Sequence, residues 1–177
     1  MRRALLLAIL AVSAAPPVAR AQPGAAVIAS KAASPIAREV SFPAPKDVVF
    51  RIAYGVNTGP EKADALVEGF KSAANFIYVA DSNGVPRSNL KLAIVVWGSA
   101  THSLLKNDAY RAAKGVDNAS ESLLGALNDA GVQIIVCGEA LINRKIDRAQ
   151  LLPFVKVAPT ASIALATLHA QGYAIFR

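Results

Sequence analysis

Leu90-Lys91-Leu92-Ala93-Ile94-Val95-Val96-Trp97 decides the fold. From Leu92 to Trp97 the run is apolar without a break and rich in β-branched residues. Strict alternation marks a strand with one wet face, whereas an unbroken run suits a strand covered on both faces of a parallel sheet. Gly98-Ser99-Ala100-Thr101 ends it as a turn. A second such run, Val132 to Val136, stops at Cys137-Gly138. On the N-terminal side, Val48 to Ala53 reads as a first strand and Gly55 to Pro60 as its loop. Glu61 to about Ala80 then reads as a helix, with Ala63, Leu66, Val67, Phe70, Ala74 and Ile77 at helical spacing. Between the second and third strands, His102 to Lys106 suits a short helix. Asn118-Ala119-Ser120-Glu121 has capping-box spacing, Leu123, Leu124 and Leu127 supply an apolar face, and Gly131 is placed to stop the helix. After Cys137 come a short helix over 139–143, a strand over 155–157, a helix from the Thr160 cap to Gly172, and a closing strand over 173–176. The alternation predicts an α/β domain with a largely parallel sheet and helices on both faces.

Hydrophobic residues make up 54% of the 177 and charged residues 18%, which excludes a disordered or fibrous chain. The first residues have the form of a cleavable signal peptide over 1–21: Arg2 and Arg3, an apolar run from Ala4 to Val12, and the small-x-small site Ala19-Arg20-Ala21. That run falls short of the roughly 20 residues a spanning helix needs. The expected location is therefore periplasmic or secreted, with no membrane span after cleavage. Residues 22–46, rich in Ala and Pro, read as a poorly ordered linker, and 47–177 as the domain. The net charge of +7 shrinks to +4, from 16 basic and 12 acidic residues, once Arg2, Arg3 and Arg20 are removed. No basic stripe interleaved with aromatics remains, so nucleic acid is not an expected partner.

Parallel sheets place their sites at the carboxyl ends of the strands. The loops to inspect are therefore 54–60, 98–102, 137–141 and 158–162. Cys137 is the single cysteine, and an exported chain ordinarily pairs its cysteines. Two readings stay open: a small core residue ending an apolar strand, or a thiol whose thiolate is favoured by free N–H groups at a helix start. Gly138 would leave the sulfur accessible, Arg144 and Lys145 would add positive potential, and an inward Glu139 would oppose the thiolate. His102 follows the second strand and is a candidate base. Gly98, Ser99, Gly138 and Glu139 are candidate cleft-lining residues. Trp97 packs in the core or lines the cleft, and His169 sits away from the strand ends. Two separated histidines and one cysteine do not make a metal site. There is no phosphate-binding glycine loop and no G-x-S-x-G elbow, so no cofactor is expected.

The ordered set of motifs resembles the DsrE-like family. Val95 to Thr101 with Leu104-Leu105 is similar to its second strand and turn, and Gly131 to Gly138 to its cysteine-bearing strand. Ile146-Asp147, Leu151-Leu152-Pro153, Val155 to Pro159 and Gln171 to Ala174 also match. The resemblance implies a three-layer α/β/α sandwich with a five-stranded, mostly parallel sheet, and assembly into homo-oligomers. It implies a persulfide carried on Cys137, exchanged with a thiol- or persulfide-bearing partner protein. Trp97 stands where the family often has a histidine, and the chain is exported where the sulfur-relay members are cytoplasmic. The alternative is a non-catalytic binding or assembly module in which Cys137 only packs.

Overall fold

The computed structural model describes residues 24–32 and 34–177. The predicted signal segment lies outside them. Five parallel strands form one sheet: β1 (Phe50–Val56), β2 (Leu90–Val96), β3 (Gln133–Cys137), β4 (Lys156–Ala158) and β5 (Ala174–Phe176). Their order is β4-β3-β2-β1-β5. The central β2 is buried from Leu92 to Val96, as its unbroken apolar run predicts. It pairs with β1 along the whole of both strands, Phe50 opposite Leu90 through Val56 opposite Val96. This pairing carries β1 past Ala53, where the sequence reading ends it. Gly55 belongs to the strand because the Trp97 ring lies against it, and a Cβ there would come within 3.0 Å of the ring.

One face of the sheet is covered by α2 (Glu68–Ser82) and α4 (Glu121–Asp129), and α1 (Ala25–Lys31) packs against both of these helices. Phe70, Ala74 and Ile77 of α2 and Leu123, Leu124 and Leu127 of α4 meet Leu92, Ile94 and Val96 there. The other face is covered by α6 (Ala161–Ala170), whose Ala161, Ala164, Leu165 and Leu168 pack on Ala53, Ala93 and Val95. The arrangement is the expected three-layer sandwich, and the alternate residues of β1 and β2 divide between the two cores.

Three local features differ from the sequence reading. Helix α1 stands where a poorly ordered linker is expected. Its Ile28 is 1% exposed, and Gly24 (φ 88°) approaches Ala126 of α4 so closely that a Cβ would meet the Ala126 backbone. Helix α2 begins at Glu68, not Glu61. The preceding turn is held by tertiary hydrogen bonds: the Tyr110 hydroxyl donates to the Ala63 carbonyl at 2.7 Å, and the Val67 N–H donates to Ser120 Oγ. Helix α3 (Asn107–Lys114) has no counterpart in the sequence reading. The expected terminators hold: Gly131 and Gly172 both have φ +86°, and Thr160 Oγ1 accepts the Ile163 N–H at 3.1 Å.

Candidate functional site at the carboxyl ends of the strands

Cys137 is the last residue of β3, opposite Ala158 of β4, and the residue before α5 (Gly138–Arg144). Its side chain is 6% exposed. It belongs to the core on the α6 side, together with Ala140, Ala161, Ala164 and Leu165. The half-buried Trp97, one residue past the end of β2, packs against the same cluster.

Gly138 serves a purpose other than leaving the sulfur open. A Cβ there would stand 2.9 Å from the Ala158 carbonyl oxygen and 3.2 Å from that of Pro159. The missing side chain lets the β4–α6 loop close on the start of α5. The Glu139 N–H donates to the Pro159 carbonyl at 3.3 Å, so this amide of the first turn is already engaged. The Glu139 side chain is exposed and does not turn into the core. Arg144 and Lys145 lie at the far end of α5. Six residues at about 1.5 Å rise each separate Gly138 from Arg144. Their charge therefore acts mainly elsewhere.

His102 lies on the 3-10 segment Gly98–Leu104 that follows β2. Its pKa is lowered from the ordinary imidazole value, first by burial and then by the cations Lys114 and Arg144, with the Ser99 carbonyl opposing. The ring is therefore neutral near neutral pH. No hydrogen bond joins it to Cys137 among the described residues.

Gly98 and Ser99 form a clasp between the β1 and β2 loops. Gly98 has φ +58°, and its Cα faces the Asn57 carbonyl with no room for a side chain. Ser99 Oγ accepts the Gly59 N–H at 2.8 Å and donates to the Asn57 carbonyl at 3.3 Å. Ser99 lines a cavity of about 620 Å³ beyond β1, with Asn57, Thr58, Glu61 and Glu68. Gly138 and Glu139 line a separate groove of about 480 Å³ beside α5 and β4. Of the four predicted cleft residues, Ser99 thus lines one concavity, Gly138 and Glu139 line another, and Gly98 packs against the Asn57 carbonyl. His169 is exposed, near the end of α6.

Sequence reasoning missed the full role of Asn118, which it read only as a helix start. The residue is buried, and its side-chain amide donates to the carbonyls of Ser103 at 3.0 Å and Leu105 at 2.7 Å. Its side-chain oxygen accepts the Ser120 N–H at 3.0 Å. It thereby ties the segment carrying His102 to the start of α4. Among the described residues, no group of three or more His, Cys, Asp or Glu side chains is arranged to hold a metal ion. No described helix is long and apolar enough to cross a membrane.

The order of the strands, the lone cysteine at the end of β3 and the matching sequence agree, because residues 48–177 match the DsrE/DsrF-like family. The chain belongs to that family. A protein of unknown function from Methanobacterium thermoautotrophicum has a similar structure, with TM-score 0.50 and 15% identity over 72% of this chain and 98% of that one. The YchN protein of E. coli is similar at TM-score 0.51 and 18% identity, over 71% of this chain and 96% of its own. No curated protein matches the sequence. At these identities the likeness is one of fold, and this DsrE-like chain shares with both the five-stranded parallel sheet.

Proposed function

We propose that this chain is an exported sulfur carrier in which Cys137 accepts a sulfane sulfur and passes it to a thiol of a partner protein. The observation that carries the reading is the position of the single cysteine: it ends β3 at the carboxyl edge of a parallel sheet, directly before a helix, in a family associated with sulfur relay. The Cys137 thiolate attacks the outer sulfur of a persulfide donor. The new Sγ–S bond forms as the donor's S–S bond breaks, and the donor leaves as a thiolate. The exchange requires no external oxidant or reductant. The alanines around the thiol (Ala140, Ala161, Ala164) keep its surroundings small. His102, neutral and on the neighbouring turn, acts as an auxiliary proton acceptor whose loss slows loading without abolishing it.

The test is intact-mass analysis of the purified chain after exposure to a low-molecular-weight persulfide. Gain of one sulfur atom by the native chain and not by Cys137→Ser supports the reading. Absence of an adduct, together with failure of alkylating reagents to reach the native thiol, removes it.

The 6% exposure of Cys137 favours a second reading, a non-catalytic binding or assembly module in which the thiol only packs. Under it, Cys137→Ala alters stability modestly and leaves partner binding intact. Assembly into a homo-oligomer is compatible with both readings. It is supported by the exposed apolar side chains of Ile163 and Phe176, each 52% accessible. Light scattering of the purified protein checks it.

A further inference from the structure

The groove beside α5 has an apolar floor and a cationic rim. Leu141, Ile142, Val157 and Pro159 make the floor, and Ile142 is 77% exposed, the second most accessible large apolar side chain among the described residues. Lys145 and Arg148 stand on the rim. Lys145 is held there by a left-handed backbone turn, φ 53°, that ends α5. Arg148 opens a short 3-10 turn capped by Asp147, whose carboxylate accepts the Ala149 N–H at 2.7 Å. The Lys106 ammonium donates to the Ala149 carbonyl at 2.8 Å and adds to the positive charge beside that turn. The ion pairs of the described residues join Lys71 to Glu68, Arg87 to Asp81 and Arg111 to Asp117, so none neutralises this rim. Glu139 is the acid lining the groove, and it lies at the opposite end of α5.

We propose that this groove docks an acidic segment of a partner protein that carries apolar side chains between its carboxylates. Charge complementarity selects that occupant. A second copy of the chain, at net +4 once Arg2, Arg3 and Arg20 are removed, would bring like charge to like. An exposed apolar floor selects a polypeptide over a small inorganic anion, which would leave Ile142 in water. The strand β4 lies at the edge of the sheet, and its Val157 and Ala158 line the groove, so an extended segment is the shape that fits. Ala158 is also the register partner of Cys137. A segment seated here lies against the β4–α6 loop that closes on the start of α5, next in sequence to Cys137. The proposal deepens the sulfur-carrier reading by naming the chemistry of its partner, but docking does not require the thiol to react.

The probe is a short synthetic peptide alternating glutamate and leucine, with a lysine–leucine peptide as its counterpart. Fluorescence anisotropy gives affinity to the full chain, and NMR shift mapping gives location. The acidic peptide is expected to bind, more weakly as salt rises, with shifts centred on α5 and residues 157–159. Arg148→Glu and Ile142→Glu, both at exposed positions, are each expected to weaken it about tenfold. Cys137→Ser is expected to bind as the native chain does, so a failure of sulfur loading and a failure of docking are read separately. Equal affinity for the two peptides, shifts centred elsewhere, or unchanged binding by both charge variants overturns the proposal. So does a self-association, seen by light scattering, that Ile142→Glu abolishes.

Discussion

Gly98 and Gly138 hold the loops around the strand ends through backbone contacts that no side chain tolerates. Gly98→Ala would place a β-carbon against the Asn57 carbonyl at a positive φ. It is expected to destabilise the fold by about 3 kcal/mol, read as a lowered urea midpoint with an unchanged slope. The sequence marks both glycines as turn residues, but the opposing carbonyls come from segments far away in the chain. His102 gives a pH signature. Its folded pKa is lowered, so the unfolded chain takes up a proton near pH 6.5 while the folded ring stays neutral. Stability therefore falls as pH drops from about 6.5 to the lower folded value, and levels off below it. His102→Gln is expected to remove that part of the slope. Urea titrations of both proteins across this window check it, and identical slopes would count against the assignment. Cys137 itself was legible as a strand-end residue because an apolar run stops there. Its burial was not legible, because the face it points to depends on register and on where α6 crosses.

At the scale of elements, the segment from Gly98 to Leu127 depends on Asn118. Asn118→Ala strands two carbonyls and one N–H in a buried place. The expected loss is about 2–3 kcal/mol by chemical denaturation, with the His102 turn loosened, as faster amide exchange at Ser103 and Leu105 would show. Asn118→Asp keeps the acceptor for Ser120 but turns a buried carboxylate oxygen toward two carbonyls, so it is expected to cost at least as much as Ala. The sequence identifies α4, α5 and α6 because each has an apolar face or a clear stop. Helix α3 escapes such a reading: of its eight residues only Tyr110 is buried, so it shows no apolar stripe. The helical spacing over Ala63, Leu66 and Val67 predicts helix, yet hydrogen bonds from Tyr110 and to Ser120 hold the turn in another shape. Tertiary contacts override local propensity there.

For the whole molecule, the N-terminal helix α1 is part of the folded unit. It packs between α2 and α4 and seats Ile28 in the main core. A chain beginning at residue 47 is expected to lose about 2–3 kcal/mol, the burial of Ile28 being the largest single contribution. Thermal unfolding of the truncated and longer chains measures the difference, and equal Tm values would show that α1 does not support the fold. The same truncation uncovers part of α4 and is expected to lower solubility.

The sequence by itself determined the α/β class, the parallel sheet and the position of Cys137 at a strand end, because these follow from periodicity and from where apolar runs stop. The tertiary structure alone decided that the thiol is covered, that Gly138 admits the β4–α6 loop, and that Ser99 lines one concavity while Gly138 and Glu139 line another. Those outcomes depend on contacts between segments distant in the chain, and no local pattern of residues encodes them.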